Sequence, residues 1–125
     1  MESKISKFLS KWEGKKLEDS GSVVSKEYAG FQAEFKKVIC HLADGVKARL
    51  VAYHNGHYDM SGFLQRNDKF VYFNYCGNIY ERATPFLQDG AILIRKAQGI
   101  RDFTGGSNFY TSLSEFQRLA NRLLR

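Results

Sequence analysis

The chain has little cysteine, no long apolar run and no low-complexity tract, and these absences exclude several classes of protein. Its two cysteines, Cys40 and Cys76, stand singly, so they provide neither a disulfide scaffold nor the paired spacing of a zinc site or a redox motif. No apolar stretch is long enough to cross a membrane, and the first residues, MESKISKFLSKWEGKK, lack the apolar centre of a signal peptide. We therefore expect a cytoplasmic protein with reduced thiols.

Positive charge and aromatic residues are what the chain has in excess. Lys and Arg total 19 against 13 Asp and Glu, which gives a formal net charge of +6. A basic balance favours a polyanionic partner, either nucleic acid or an acidic surface of a nucleic-acid-binding protein complex, although a basic protein need not have one. Aromatic residues make up 14% of the chain and serve either the core or a recognition surface.

Apolar residues repeating every 3.6 positions predict three helices. The first covers residues 3–13, a short basic amphipathic segment that either packs on the core or lies on a membrane. The second begins after a cap at Ser25 and ends at Gly45. The third closes the chain, and Ser112 and Glu115 have the spacing of a capping box at its start. The apolar stripe of the second helix is assigned to the core: Tyr28, Phe31, Phe35, Val38, Ile39 and Leu42.

Between these helices the apolar period changes to two, which predicts strands. The predicted strands are 47–54, 57–66, 69–76 and 91–97. The dipeptides Asn55-Gly56 and Asn67-Asp68 join the first three and are typical of two-residue hairpin turns. Residues 77–88 are compatible with either a strand or a loop.

The order of these elements predicts a single α+β domain over residues 1–125. It consists of two N-terminal helices, an antiparallel meander of about four strands and a C-terminal helix. Residues 1–17 form a loosely attached N-terminal helix in this interpretation.

Two histidines flank the Asn-Gly turn and raise the question of a metal or catalytic site. If Asn55-Gly56 is a two-residue turn, His54 and His57 oppose each other with Cβ atoms roughly 5 Å apart, and alternation adds Asp59 to their face. Such residues can ligate zinc or manganese, or act as acid and base, so a small metal-assisted hydrolase is one alternative. Because a third strong ligand is missing nearby, we expect a surface turn, with no catalytic residue, metal or other cofactor.

Strand alternation assigns Val51 and Tyr53 to the core face of the sheet, and Phe63, Phe70 and Tyr72 to the outer face. Three aromatic residues are unusual on a face that should be polar. Either other parts of the chain cover them, or they form an exposed platform for stacked bases or for a protein partner.

The segment TGGSN, residues 104–108, places adjacent glycines beside basic residues. Adjacent glycines can present backbone N–H groups to an anion, although an unusual backbone path also explains them. Their spacing matches neither a P-loop nor a dinucleotide fingerprint. The predicted binding residues, here and on the outer sheet face, are Arg95, Lys96, Arg101, Gly105, Gly106, Asn108, Phe70 and Tyr72. Arg118 and Arg122 of the last helix form a competing basic site.

A resemblance to other proteins rests on three segments of the sequence. The last is a strand reading ILIR followed by a basic stretch and DFTGGSN, and the two earlier ones are GHYDMSGF and KFVYF. Over roughly residues 56–113 the chain resembles a group of small uncharacterised proteins carried by plasmids, conjugative elements and phages of gut and Gram-positive bacteria. The resemblance implies a mobile-element setting, where small non-enzymatic proteins often counter host defence, including anti-CRISPR inhibitors of CRISPR nucleases. It implies no catalytic residues.

Charge, the outer aromatic residues and the resemblance together favour a non-enzymatic binding protein that acts by occupancy. Its expected target is nucleic acid or a nucleic-acid-handling complex, and the expected effect is inhibition of a host defence nuclease such as a CRISPR effector. The alternatives are the metal-assisted hydrolase described above and an oligomeric accessory protein joined through the outer aromatic residues. No membrane partner is expected.

Overall fold

The structure is a computed structural model that describes residues 4–12, 26–56, 59–75, 92–102 and 106–125. Its elements are α1 (Lys4–Trp12), α2 (Lys26–Gly45), β1 (Arg49–Asn55), β2 (Met60–Arg66), β3 (Lys69–Tyr75), β4 (Ile92–Ala97), β5 (Phe109–Thr111) and α3 (Leu113–Leu123). The strands form one antiparallel sheet in the order β1-β2-β3-β4-β5. The α+β prediction is confirmed, with a short fifth strand added before α3. Ser25, His57, Cys76, Gly105 and residues 77–88, on which the sequence made predictions, fall outside the described ranges.

The core lies between one face of the sheet and the helices α2 and α3. The aromatic stripe of α2 is buried as predicted, and Phe31 and Phe35 pack edge-on against Tyr75 of β3, with ring centres 6.2 and 5.9 Å apart. On the same face of the sheet, Phe116 of α3 meets Phe73 at 5.6 Å in a T-shaped contact. Burial of such large rings is the main source of stability in a domain of this size.

Helix α1 packs on α2 through its two buried aromatic residues. Phe8 stacks on Phe31 at 5.8 Å, and the Trp12 ring meets Phe31 edge-on at 5.3 Å. Of the two alternatives for this amphipathic segment, the structure supports packing on the core. Among the described residues, no helix has both the length and the apolar character needed to span a membrane.

Helix α2 ends at Gly45, as predicted, but the left-handed residue of its C-terminal turn is Lys47, with φ 58°. The N–H of Ala48 donates to the Ala43 carbonyl at 2.9 Å, and the N–H of Lys47 to Asp44 at 3.1 Å. These two bonds form a Schellman motif, which satisfies the last carbonyls of the helix. At the start of α3, the Ser112 hydroxyl accepts from the Glu115 N–H at 3.3 Å, as the capping spacing predicts.

The two predicted hairpin turns have different outcomes. Arg66 pairs with Lys69, so Asn67-Asp68 is a two-residue turn, and Asn67 has the expected positive φ of 54°. The prediction for Asn55-Gly56 is wrong, because Asn55 pairs with Met60 and the connection extends over residues 56–59.

Contacts from α2 explain the longer connection between β1 and β2. The Gln32 amide donates to the Gly56 carbonyl at 2.9 Å, and the Tyr28 hydroxyl donates to it at 3.3 Å. The Gly56 N–H donates to the Asp59 carbonyl at 2.7 Å, and a Cβ on Gly56 would overlap the Asp59 carboxylate. This turn is therefore shaped by a helix distant in sequence, which a local dipeptide rule does not register.

A β-bulge in β1 corrects the predicted face of Val51. Val51 pairs with Phe63 and His54 with Ser61, so Ala52 and the next residue lie opposite one residue of β2, and Ala52 has φ 51°. An extra residue reverses the side-chain alternation. Val51 therefore lies on the outer face with Phe63, while Tyr53 packs against the core as predicted.

Candidate functional site

A groove of about 440 Å³ opens at the end of the sheet where β3 begins and β4 ends. It is lined by Asp68, Lys69, Phe70, Lys96, Ala97, Gln98, Asp102 and Gly106. Three of these residues, Phe70, Lys96 and Gly106, are predicted binding residues. The structure therefore brings the glycine segment and the first residues of β3 together around one groove.

Lys69 and Lys96 supply the positive charge of this groove. Val71 pairs with Lys96, and Lys69 lies two residues before Val71, so the two lysines are diagonal neighbours on one face of the sheet. Both are exposed. Asp102, one of the two carboxylates in the groove, already pairs with Arg95, and the other, Asp68, is exposed in the β2–β3 turn. An anion can therefore approach both ammonium groups from solvent.

Gly106 brings the glycine segment against the end of β4. Its φ is +76°, and a Cβ at this position would lie 3.0 Å from the Lys96 carbonyl oxygen. The unusual backbone path that the sequence allowed for these glycines is present at Gly106. A residue with a side chain would be strained in this conformation and would push the segment away from Lys96.

Arg95 is predicted to meet a partner, but its side chain is turned inward and is 2% exposed. Its guanidinium donates to the Asp102 carbonyl at 2.6 Å and lies 3.7 Å from the Asp102 carboxylate. The same carboxylate accepts from the Gln98 N–H at 2.9 Å. Arg95 therefore holds the loop 98–102 on the sheet, and Lys96 and Arg101 are the exposed cations beside it.

The outer aromatic residues form a stack with Arg95. The Tyr72 ring lies 5.1 Å from the Phe63 ring and 4.8 Å from the Arg95 guanidinium carbon. Phe63 is 1% exposed, whereas Phe70 and Tyr72 are half-buried. Of the two alternatives for this face, cover by the chain itself holds for Phe63, so an open platform of three aromatic residues is not present.

Exposed aromatic residues instead occur on the edge strand β5. In the described part of the chain, the large apolar residues that remain exposed are Ile100 at 46%, Phe109 at 38% and Tyr110 at 56%. Phe109 pairs with Ile94, two residues before Lys96, so the Phe109 ring and the Lys96 ammonium leave the same face as diagonal neighbours. Tyr110 pairs with Leu93 and leaves the opposite face at the same open edge. We call Lys69, Lys96, Arg101, Phe109 and Tyr110, which lie around this edge, the edge site.

The sequence prediction missed Phe109 and Tyr110 because a three-residue strand carries too little alternation to be recognised. Two adjacent aromatic residues just after a glycine segment were the available signal. Asn108, which was predicted, precedes them and is exposed, while the competing Arg118 is exposed and paired with Glu115 at 2.7 Å.

The proposed metal-ligand set is only partly described. His54 is exposed opposite Ser61, and the Asp59 carboxylate accepts from the Asn74 amide at 3.0 Å. The two-residue turn that would oppose His54 and His57 is absent, because the bulge and the longer connection change the register. Within the described ranges, no group of three or more His, Cys, Asp or Glu side chains is arranged to hold a metal ion.

In comparisons with protein families, with curated proteins and with solved structures, none matches this chain.

Proposed function

We propose that the protein binds nucleic acid without catalysis, and that the edge site is where a single strand lies. The observation that supports this most directly is that exposed aromatic residues and exposed cations lie in the same part of the protein. The large apolar residues that stay exposed in the described chain lie in the segment 100–110, next to the exposed cations Lys96 and Arg101. Cations beside accessible aromatic rings are the usual composition of a surface for single-stranded nucleic acid.

In the proposed complex, the cations and the rings have different tasks. Lys69, Lys96 and Arg101 bind phosphate groups, and this part of the affinity is independent of sequence. Phe109 and Tyr110 offer ring faces to unstacked bases, each stacked base contributing roughly 1–3 kcal/mol. Bases in a duplex are already stacked on one another, so the edge site favours single strands.

The buried Arg95–Asp102 pair positions the site without touching the strand. It fixes the loop that carries Ile100 and Arg101, so the backbone of this loop is held at the end of β4 before any ligand arrives. Such preorganisation lowers the entropy lost on binding.

In the mobile-element setting that the resemblance implies, the proposed activity is occupancy. A protein bound to a single strand denies that strand to a host defence nuclease, including a CRISPR effector, and needs no chemistry of its own. The proposal therefore retains a non-enzymatic counter-defence role.

Fluorescence anisotropy with a labelled oligo(dT) strand of about 16 nucleotides tests the edge site. The charge variant combines Lys96→Glu and Arg101→Glu, and the matched control combines Arg118→Glu and Arg122→Glu, which alter net charge equally. The logarithm of the binding constant falls linearly with the logarithm of the salt concentration, and each lost phosphate contact makes this slope shallower by about 0.7. The slope of the edge variant should therefore be shallower by about 1.4, and its binding at least about tenfold weaker.

Equal binding by the edge variant and wild type, with unchanged thermal melts, would refute the edge site. A loss confined to the α3 control would move the site to Arg118 and Arg122. If no oligonucleotide binds, but a nuclease-treated lysate yields an acidic protein partner, the partner is a protein surface and the nucleic-acid proposal fails.

A further inference from the structure

A second concentration of positive charge lies on the helices, away from the edge site. We call it the helix face, and it consists of Lys4, Lys7, Lys11, Lys36 and Lys37, all exposed. Two shallow grooves of about 310 and 330 Å³ run along it between α1 and α2, and Lys4 and Lys37 line both. Glu34 and Asp44 are the carboxylates in these grooves, so the lysines outnumber them.

The charges of α1 oppose its own stability as a helix. Lys4, Lys7 and Lys11 are spaced three and four residues apart, where like charges repel on one helix face. Lys4 and Lys7 also lie in the first turn, at the positive end of the helix dipole, and this turn contains no acidic residue to offset their charge. Within the described chain, Lys11 alone of the five has an ion pair, with Glu34 at 2.8 Å. A bound polyanion would relieve both kinds of repulsion.

A membrane surface is a poor fit for this charge. An amphipathic helix binds a bilayer by inserting its apolar side, but the apolar side of α1 is already packed on α2 through Phe8 and Trp12. Among the described residues of α1 and α2, no large aromatic side chain is exposed, in contrast to the edge site. The helix face therefore offers mainly lysine ammonium groups. Such groups bind the phosphates of a nucleic-acid backbone and do not discriminate single from double strands.

The helix face and the edge site lie toward different edges of the sheet. Helix α2, which carries α1, packs beside β1, whereas the edge site is built on β4 and β5. Four strand spacings separate β1 from β5, roughly 19 Å through the sheet. The two surfaces can therefore be occupied at the same time.

We propose that the helix face is a second nucleic-acid-binding surface, which takes the phosphate backbone of a duplex, so that one molecule bridges a duplex and a single strand. This inference rests on the proposed function for the identity of the ligand at the edge site. It assigns the two surfaces different ligands: the edge site requires accessible bases, and the helix face requires only phosphates.

A co-capture experiment measures bridging directly. Biotinylated oligo(dT) is fixed to beads, and a fluorescent duplex of about 20 base pairs is supplied in solution with the full-length protein. Wild type should carry duplex to the beads. A variant with Lys4→Glu and Lys7→Glu should keep its affinity for oligo(dT) within about threefold but carry at least about tenfold less duplex. The Arg118→Glu and Arg122→Glu control should behave as wild type.

Tryptophan fluorescence supplies a second measurement, because Trp12 is the single tryptophan of the chain and lies in α1 beside Lys11, 5.1 Å from ring centre to ammonium. Duplex should change its emission in wild type and in the edge variant with Lys96→Glu and Arg101→Glu, but not in the Lys4→Glu and Lys7→Glu variant. Thermal melts check that each variant is folded.

Several outcomes would overturn the inference. If the Lys4→Glu and Lys7→Glu variant still co-captures duplex, the helix face is not the second surface, and gel filtration will then show whether a dimer with two edge sites is responsible. If wild type binds oligo(dT) normally but does not co-capture duplex, the bridging inference is refuted and the proposed function is unaffected. Lysine-dependent sedimentation with phosphatidylserine vesicles, without duplex binding, would assign the helix face to a membrane surface. Loss of oligo(dT) binding only in the helix-face variant would instead reject the edge site.

Discussion

The central guanidinium carbon of Arg95 lies 4.8 Å from the centre of the Tyr72 ring, and the same guanidinium donates to the Asp102 carbonyl at 2.6 Å and pairs with its carboxylate at 3.7 Å. A charge this deeply buried depends on both partners. Replacing Arg95 with Leu should therefore lower the free energy of unfolding by about 2–3 kcal/mol.

Urea denaturation provides the measurement for Arg95→Leu, and Arg101→Leu is the matched control because Arg101 is exposed in the same loop. The control should change stability by no more than about 0.5 kcal/mol. Equal effects of the two substitutions would show that Arg95 does not hold the loop.

Gly106 should not tolerate a side chain. With φ +76° and a Cβ position 3.0 Å from the Lys96 carbonyl, Gly106→Ala should cost more than about 1 kcal/mol of stability. Gly99→Ala is the control, since its Cβ would have nothing within 4 Å and its φ lies outside the left-handed region. A neutral or stabilising Gly106→Ala would remove the argument that this glycine shapes the groove.

Tyr53 carries a buried hydroxyl that finds no hydrogen-bond partner among the described residues. Burial raises the pKa of this phenol well above its ordinary value, and the neighbouring Tyr28 and Cys40 raise it further. The ring packs against Phe73 at 6.5 Å, and the Lys36 ammonium lies 5.4 Å from its centre, contacts that Phe would retain. Tyr53→Phe should therefore be neutral or stabilise the protein by about 1 kcal/mol.

The raised pKa of Tyr53 also predicts the sign of a pH effect. The unfolded chain releases the proton near pH 10 and the folded chain does not, so this contribution to stability is complete below about pH 10 and is lost above it. Urea midpoints between about pH 8 and pH 11 should fall less steeply for Tyr53→Phe than for wild type. Parallel curves for the two proteins would contradict the assignment.

The aromatic residues of β5 should matter for binding but little for folding. Tyr110→Ala should weaken oligo(dT) binding by about 1–3 kcal/mol, because the exposed ring is lost as a stacking surface. Tyr72→Phe keeps the ring in its stack and is the control, and its affinity should match wild type. If Tyr110→Ala binds normally, phosphate contacts alone account for the affinity.

The histidines beside the first turn should be dispensable. Replacing both His54 and His57 with Gln should change stability by no more than about 0.5 kcal/mol and leave binding unaltered. Elemental analysis of the purified protein accompanies the melts. If wild type contains a stoichiometric metal and has hydrolytic activity, and the double variant loses both, the hydrolase alternative would be favoured.

The parts of the fold that the sequence predicted are those set by local pattern. The stripe of α2, the capping of α3 by Ser112 and the turn at Asn67-Asp68 depend on residues a few positions apart, and all three were predicted correctly. The bulge at Ala52 and the connection after Asn55 were not, because they depend on β2 and on Gln32 of α2.

For the candidate site too, the sequence predicted the features set by local pattern and missed those set by contacts distant in sequence. Charge and glycine spacing identified Lys96, Arg101 and Gly106, since these signals lie in one segment. Whether an arginine points outward depends on its partners in space, so the burial of Arg95 under the 98–102 loop could not be predicted. The exposure of Tyr110 depends on β5 being the last strand of the sheet, which is a property of topology.

The left-handed residue in β1 has a consequence for crowded conditions. When many copies of a protein load side by side on one strand of nucleic acid, open sheet edges come close enough to pair and to begin fibre growth. Here β1, one edge of the sheet, is interrupted at Ala52, and β5 at the other edge is only three residues long. Among the strands that the structure describes, neither edge offers an uninterrupted template, so dense coating of a polyanion is compatible with molecules that remain separate.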